Sequence, residues 1–366
     1  MQFRSQRFFC VFSWEQRKYS NVINLISGQD FEPSQYNENK EGIPYLTGAS
    51  CIENGHTVAV RWTQTPRCIA EKGDTVLVCK GSGYGTIAVV DQEKAHIARQ
   101  FMAVKAIDGE IDKAFNYYLL YSVIESIKKD ARGLIAGIAR DAVLNQPVLI
   151  PNIDEQVKIA HSLTNLDNLI TLHQRKYEML KKIKKSFLEK MFPKNGKRIP
   201  ELRFSGFTDD WEQRKLGDEC SEIVAGGDIN KKNLLKDGRY PVIANALTDD
   251  GIVGYYANEY RIKAPAVTVT GRGDVGHAQA RKTNFTPVVR LLSVISKHNV
   301  DFLAEAINQN EVVLESTGVP QLTVPTLANY LLRFPSTIEE EKKIGQCFSQ
   351  IDHLITLHQR MQKSAF

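Results

Sequence analysis

Two glycine-rich segments hold the residues whose types and spacing are best suited to chemistry. The first, Gly271–Gly276 (GRGDVG), fits the GxGxxG pattern of a dinucleotide-binding turn and follows a strand-like run at Ala266–Thr270. A dinucleotide fold also requires a helix that starts at the third glycine and an acidic residue about 20 residues further on. Polar and turn-forming residues follow Gly276 instead, and the stretch at that distance, LLSVISKHN, contains no acid. A nucleotide site is therefore a poor interpretation of this segment.

The second glycine-rich segment favours a different interpretation. Lys80–Thr86 (KGSGYGT) also follows a strand-like run, Thr75–Val78, so both segments are expected to be strand–glycine loop–strand turns. The polar residues differ between the two loops, and side chains of these types can address base edges or hold phosphates. A solvated hairpin tip is the alternative for each of them. The predicted DNA-binding residues are Lys80, Ser82, Tyr84, Arg99, Arg272, Asp274, His277, Gln279 and Arg281.

The elements that position these loops occur twice in the chain. The string WEQRK stands at Trp14–Lys18 and again at Trp211–Lys215, and LDNLITLHQR at Leu166–Arg175 returns as IDHLITLHQR at Ile351–Arg360. Both repeats are separated by about 190 residues, which is the size of a whole domain and too long for a solenoid or propeller repeat. A chain built from two similar halves suits a partner that also comes in two halves. Duplex DNA with a bipartite site is the leading candidate.

A long amphipathic helix is predicted at the end of each half. Between Ile153 and Met191 the apolar residues alternate at intervals of four and three, which is the period of a coiled-coil seam. The second copy repeats this register, so we expect the two helices to pack against each other; the alternative is that each helix docks separately on its own domain. The predicted helix-pair interface consists of Leu163, Leu166, Ile170, Tyr177, Leu180, Phe348, Ile351 and Ile355.

Composition and motif content narrow the class of protein. The 366 residues are enough for two or three domains, and a net charge of +5 permits a polyanionic partner without requiring one. The six cysteines form no CxxC pair, and no His/Cys cluster has metal-ligand spacing. The sequence contains no GxxxxGK[ST], HExxH, GxSxG or amino-methyltransferase motif, and no apolar run approaches the ~20 residues that span a bilayer. We therefore expect a non-catalytic protein of a reducing cytoplasm with no metal of its own.

Several long strings closely resemble the specificity (S) subunit of type I restriction–modification systems, and the resemblance covers nearly the whole chain. They are FTDDWEQRKLG at Phe207–Gly217, the IDHLITLHQR helix, KKSFLEKMFPKNGKRIPELRFSGF at Lys184–Phe207 and GVPQLTVPTL at Gly318–Leu327. The resemblance implies an α/β (α+β) fold with two similar globular target-recognition domains. It also implies that two long helices join them as an antiparallel coiled coil, in a pseudo-twofold internal repeat.

The expected domains follow from the repeats and from this resemblance. They are a first target-recognition domain at 1–151, a first conserved helix at 152–193, a linker at 194–206, a second target-recognition domain at 207–335 and a second conserved helix at 336–366. Within the globular parts, Thr75–Val78 and Ala266–Thr270 are predicted to be buried strands. Ala114–Ile127 and Phe302–Val313 are predicted to be short amphipathic helices.

The same resemblance implies a division of labour with partner proteins. Each domain would read one half of a bipartite site in double-stranded DNA, and the helices would set the spacer and dock two methyltransferase (modification) subunits. S-adenosylmethionine, ATP and Mg would be used by those subunits and by endonuclease/translocase (restriction) subunits, with no cofactor on this chain. A non-catalytic assembly scaffold, or a truncated and inactive variant that does not read DNA, is the alternative.

Three features depart from the family pattern. Residues 1–13 lack the FTDD lead-in that precedes Trp211 in the second copy. The second helix stops at Phe366, whereas the first continues through Lys176–Phe192, so we expect the helix pair to be shorter at one end. The string GIARD beginning at Gly137 also differs from GVPQL beginning at Gly318, which is expected to occupy the corresponding turn.

Overall fold

The two copies of WEQRK form β-strands, each of which pairs antiparallel with the strand that leads into a long helix. The computed structural model describes residues 14–81, 83–129, 137–194, 196–310 and 320–364. The chain divides into two compact units, Met1–Leu169 (unit 1) and Ile170–Phe366 (unit 2). Predictions for residues 1–13, Ser82, Gly318 and the last residues of Phe302–Val313 fall outside the described residues.

Unit 1 consists of short strands, two helices and the first part of a long third helix. Its strands are β1 (Glu15–Lys18), β2 (Ile23–Ser27), β3 (Ile43–Leu46), β4 (Ile52–Glu53), β5 (His56–Thr57), β6 (Trp62–Thr63), β7 (Ile69–Glu71), β8 (Thr75–Val78), β9 (Ile87–Val89), β10 (Lys94–Ile97), β11 (Phe101–Ala106) and β12 (Pro147–Ile150). Its helices are α1 (Lys113–Lys129), α2 (Arg140–Leu144) and the beginning of α3 (Ile153–Lys190).

Two sheets form the body of unit 1. A six-stranded sheet has the order β2-β11-β8-β9-β5-β4, and a four-stranded sheet has the order β6-β3-β10-β7. Every residue of β8 is buried, as expected for a central strand rich in β-branched residues. Helix α1 lies against the six-stranded sheet through Phe115, Leu119 and Ile124, so the predicted strand and helix are both confirmed.

Unit 2 repeats this plan after the second part of α3. Its elements are β13 (Glu212–Lys215), α4 (Leu216–Glu219), β14 (Cys220–Ala225), β15 (Tyr240–Ile243), β16 (Ile252–Tyr256), β17 (Ala266–Thr270), β18 (Ala278–Arg281), β19 (Thr286–Pro287), β20 (Leu291–Ser296), α5 (Val300–Asn308), α6 (Val324–Ala328), β21 (Leu331–Phe334) and α7 (Ile338–Ser364). The sheet orders are β14-β20-β17-β18 and β16-β15-β19.

An aromatic core joins the helices of unit 2 to its larger sheet. Trp211, Phe302 and Phe348 are almost fully buried and surround Phe192, which lies two residues after the end of α3. Helix α5 begins two residues before the predicted start and ends at Asn308, where Asn310 donates to the Ile307 carbonyl. Burying large aromatic side chains contributes about 2–3 kcal/mol each, so this core accounts for much of the stability of the unit.

Both glycine-rich segments connect antiparallel strands. β8 pairs with β9 in unit 1, and β17 pairs with β18 in unit 2, so a strand rather than a helix follows Gly276. A dinucleotide-binding turn requires a helix at that point. The prediction of strand–glycine loop–strand turns is confirmed.

Candidate nucleic-acid interface

In each unit, three segments meet at one end of the central strands of the larger sheet, and we call this region the loop edge. In unit 1 the segments are the glycine loop from Lys80, the turn Ala98–Phe101 and the residues that precede α2. The amide of Cys79 donates to the Gln100 carbonyl at 2.7 Å, and Ile138 donates to the Cys79 carbonyl at 2.8 Å. Backbone hydrogen bonds therefore hold the glycine loop between the other two segments.

The loop edge of unit 2 is built in the same way. The turn Val288–Leu291 lies beside the glycine loop, and Leu322 donates to the Gly271 carbonyl at 3.0 Å. Asn245, which follows β15, ties the two together because its side chain accepts from the Gly271 amide at 2.8 Å and donates to the Val289 carbonyl at 3.0 Å. The segment after β15 is thus a fourth member of this edge.

Cations occupy equivalent places on the two glycine loops. Lys80 forms an isolated bridge with Gly137, and Arg272 forms one with Gln321. Both side chains are exposed, and neither lies within 4 Å of a carboxylate among the described residues. The bridges also correct one expectation, because they make Gln321, and not Gly318, the residue of unit 2 that is equivalent to Gly137.

The remaining loop candidates of unit 1 are partly engaged within the unit. Arg99 is 74 % exposed, but its guanidinium lies 2.7 Å from Asp30 Oδ2. The other carboxylate oxygen, Asp30 Oδ1, accepts a hydrogen bond from the Arg99 backbone amide. Tyr84 is half-buried with the Lys128 ammonium 5.6 Å from its ring centre. In unit 2, Asp274 is exposed and its carbonyl accepts from the Thr270 hydroxyl.

Three predicted residues of unit 2 lie away from the loop tip. His277 directly precedes β18, and Gln279 and Arg281 lie on that strand. A groove of about 540 Å³ lies between β18, α5 and α7, and His277 and Gln279 line it. Gln279 donates to Asp250 at 3.0 Å, and Arg281 donates to the Thr268 hydroxyl at 2.9 Å. Burial lowers the pKa of Arg281 to about 10. The structure therefore separates the predicted set into a loop-edge group and a groove group.

Cations stacked on aromatic rings form a further group that sequence reasoning missed. In unit 1, Arg61 lies 4.8 Å from the Tyr36 ring centre and Arg67 lies 5.6 Å from that of Phe31. In unit 2, Arg239 lies 5.2 Å from the ring centre of its neighbour Tyr240. Such pairs can hold phosphates or stack on bases. The Arg239–Tyr240 dipeptide was a visible signal, whereas the unit 1 pairs join residues far apart in sequence.

The two long helices pack against each other within unit 2. His173 Nδ1 lies 2.8 Å from His358 Nδ1, and further along the pair Lys184 Nζ lies 2.8 Å from Asp352. Because the contact positions rise along α3 while they fall along α7, the helices are antiparallel. His173 and His358 are equivalent residues of the repeated string, so the helices cross at corresponding points.

The predicted interface residues differ in exposure. Phe348 and Ile351 are buried, and Leu166 is 55 % exposed. The half-buried members are Leu163, Ile170, Tyr177, Leu180 and Ile355. Phe348 packs against Phe192 in the aromatic core, and the assignment of the other residues to the helix-pair interface stays a prediction.

An ion cluster joins the seam to the globular part of unit 2. Lys184 contacts Glu305 at 2.7 Å as well as Asp352. Burial lowers the pKa of Lys184, but the charge of Glu305 and the hydrogen bonds to both acids outweigh burial and raise it. In unit 1 the residue equivalent to Asp352 is Asp167, because both stand at the second position of the repeated helical string. The hydroxyl of Tyr118 donates directly to Asp167 at 2.7 Å.

The repeated tryptophan contacts the start of the long helix in each unit. The Trp14 indole donates to Glu155 at 3.2 Å, and the Trp211 indole donates to Glu340 at 3.4 Å. Glu340 also receives two hydrogen bonds from Arg203, at 2.7 and 2.9 Å. The acids at these helix starts therefore anchor the helix to the domain, in addition to interacting favourably with the helix N-terminus.

Neither a metal cluster nor a membrane-spanning helix occurs among the described residues. No group of three or more His, Cys, Asp or Glu side chains could hold a metal ion in the part of the chain that the structure describes. None of the helices among the described residues is long and apolar enough to cross a membrane.

Comparison with known proteins agrees with the duplicated plan. Residues 13–182 and 208–365 each match the type I restriction modification DNA specificity domain. A Mycoplasma pneumoniae protein named as a type I specificity subunit is 28 % identical over 276 residues, which are 71 % of this chain and 70 % of that protein. The MjaVIII specificity subunit of Methanocaldococcus jannaschii is 28 % identical over 215 residues, 52 % of this chain but only 48 % of that protein. The S subunit crystal structure from M. genitalium has the same fold, with a TM-score of 0.69 at 15 % identity over 100 % of this chain and 95 % of that one.

Proposed function

This chain belongs to the type I restriction–modification DNA specificity family, and from that premise we propose that each unit reads one half of a bipartite site in duplex DNA. The equivalence of the two loop edges carries the proposal. Lys80 and Arg272 occupy the same place on the two frames, whereas the side chains around them differ. Contacts of equivalent cations with phosphates would position both units, and the differing side chains would read different bases.

The helix pair would hold the two reading units at a set separation. Helix α3 has 38 residues and is therefore about 57 Å long at ~1.5 Å per residue, and DNA rises ~3.4 Å per base pair. Inserting one helical turn into α3 should lengthen the preferred spacer by about one to two base pairs. If methylated sites kept their spacer after the insertion, the helix would not be the ruler.

Catalysis in this proposal belongs to partner proteins. Two methyltransferase subunits that use S-adenosylmethionine would dock on the helix pair, and restriction subunits that use ATP and Mg would complete the complex. The role that defines the family, DNA specificity, supports this division because it is recognition rather than a reaction. Since the substrate is chromosomal DNA, we place the complex in the cytoplasm.

Exchange of one reading domain tests the proposal. Residues 207–335 would be replaced by the corresponding domain of another family member, and methylated adenines would be mapped in cells that also carry the methyltransferase subunits. One half-site should change and the other should stay. Changes in both halves would contradict independent reading, and a wild-type chain that yields no bipartite motif with its partners present would favour the scaffold alternative.

A further inference from the structure

Each loop edge contains a four-residue turn whose equivalence follows from backbone hydrogen bonds. In unit 1 Phe101 donates to the Ala98 carbonyl at 2.8 Å, and in unit 2 Leu291 donates to the Val288 carbonyl at 3.0 Å. The strands that follow, β11 and β20, have the same length and pair with β8 and β17 in the same register. Gln100 and Arg290 are therefore equivalent residues, each the third of its turn.

Arg290 adopts a backbone conformation that an arginine rarely adopts. Its φ is +71°, and it is one of five described non-glycine residues with positive φ; Asn and Asp, which tolerate this region, account for three of the others. The remaining one, Lys40, has its ammonium 6.0 Å from the Trp62 ring centre, so an interaction accompanies its strained backbone. Among the described residues, no aromatic ring lies beside the Arg290 guanidinium.

Glycine at position 271 is what permits this conformation. A Cβ at Gly271 would lie 2.2 Å from the Arg290 carbonyl oxygen, a distance that no side chain can tolerate. The equivalent residue of unit 1 is Cys79, whose side chain is accommodated 3.2 Å from the Gln100 carbonyl because that turn has no residue with positive φ. Unit 2 thus combines a strained arginine with the glycine that makes room for it.

The Arg290 side chain is available to a ligand. It is exposed, and among the described residues no carboxylate lies within 4 Å of its guanidinium and no side-chain or backbone oxygen accepts from it. The exposed Arg272 stands on the adjacent glycine loop, so two cations border this edge. Backbone strain of this kind costs on the order of a tenfold shift in the folding equilibrium, persists only where the surrounding structure enforces it, and is concentrated at ligand-binding sites.

We propose that the third residue of this turn reads a base in each unit, with Arg290 recognising a guanine in one half-site and Gln100 an adenine in the other. Arginine can donate two hydrogen bonds to guanine O6 and N7, and glutamine can bond adenine at N6 and N7. This inference rests on the proposed function, and it assigns specificity to a pair of residues outside the glycine loops.

Three variants of the full-length subunit, assembled with its methyltransferase partners, test the inference by mapping methylated adenines. Arg290→Gly removes the side chain and suits a φ of +71°, so the melting temperature should stay equal or rise. Its preference for guanine at one position of one half-site should fall by on the order of 10- to 100-fold. Arg290→Gln should shift that position towards adenine, and Gln100→Arg should shift one position of the other half-site towards guanine.

A charge-matched control separates base reading from general electrostatics. Lys282→Gln also removes one positive charge from unit 2, but Lys282 pairs with Asp301 outside the loop edge, so the recognised sequence should not change. If the wild type gives a bipartite motif that Arg290→Gly leaves unchanged, the inference is wrong while the proposed function stands. If Arg290→Gly weakens all sites equally, Arg290 holds a phosphate and the base assignment is overturned. A wild type without any motif would reject the proposed function itself.

Discussion

A buried histidine that joins two acids should make the stability of unit 2 depend on pH. His298 is 6 % exposed and packs on Phe334, with ring centres 4.4 Å apart. Its Nδ1 lies 2.7 Å from Glu341 in the first turn of α7, and its Nε2 lies 2.9 Å from Glu219 at the end of α4. The charged imidazole therefore connects the long helix to the sheet domain.

The direction of the pH dependence follows from the pKa of His298. Burial favours the neutral ring, but hydrogen bonds to Glu341 and then to Glu219 outweigh burial and raise the pKa above its ordinary value of 6.5. A group whose pKa is raised by folding contributes its full stabilisation below the unfolded pKa and loses it as the pH rises through the folded pKa. Unit 2 should therefore lose stability as the pH rises above about 6.5.

The expected cost of removing the charge is substantial. A hydrogen bond to a charged group contributes about 1.5–3 kcal/mol, and breaking a buried pair from one side costs about 3–5 kcal/mol. Glu219 keeps 10 % exposure and a second cation, Arg214 at 3.1 Å, so we take the lower end. His298→Gln should reduce the free energy of unfolding by about 3 kcal/mol near pH 6, and the melting temperature by about 6–12 °C.

Tryptophan fluorescence can report on this unit alone. Trp211 is 1 % exposed in the core of unit 2, so a background with Trp14→Phe and Trp62→Phe leaves it as the reporter during urea unfolding. His298→Gln should flatten the dependence on pH above about 6.5, and adding Glu341→Gln should recover part of the loss. A cost below about 1 kcal/mol, together with an unchanged pH dependence, would refute this account of the cluster.

Three further predictions concern the helix pair and the loop edge. Lys184→Met should destabilise unit 2 by about 2 kcal/mol in urea unfolding, because Glu305 would keep a mostly buried charge that solvent screens only in part. Adding Glu305→Gln should restore stability. If the effects of the two substitutions were additive, the ion pair would be contradicted. Burial and then the charge of His173 lower the pKa of His358, so its contribution to stability is present above the ordinary 6.5 and is lost at lower pH. His358→Leu should abolish the loss of stability as the pH falls below about 6.5, and retention of the loss would assign it to other groups. Arg272→Ala should weaken binding to all DNA sites about equally and reduce the salt dependence by about one ion, whereas a change in the recognised sequence would make it a base reader.

Local patterns were enough to predict much of the fold. The alternation of apolar residues from Ile153 placed the start of α3 at the correct residue, and β-branched runs located β8 and β17. Both features depend on periodicity within one element, which packing only reinforces. The repeated strings also indicated two halves of similar construction, in agreement with two matches to one family domain.

Other features depended on contacts between distant residues. Sequence spacing grouped Arg272 with Gln279 and Arg281, but strand β18 carries the last two away from the loop edge. Gln279 lines the groove, and Arg281 donates to Thr268. The acids at the start of α7 suited a helix N-terminus, and the partners Arg203 and His298 come from the linker and from the end of β20. Only long-range pairing brings these groups together.

The sequence by itself determined that one framework is used twice and that its loops differ in polar residues, because repeated strings and local periodicity do not depend on the rest of the chain. The tertiary structure alone decided which residues of the two halves are equivalent. Gln100 and Arg290 correspond because backbone hydrogen bonds align their turns, and Gly271 leaves the space that the Arg290 carbonyl occupies. Register between strands and close backbone approach are properties of folded neighbours, and no spacing along the chain encodes them directly.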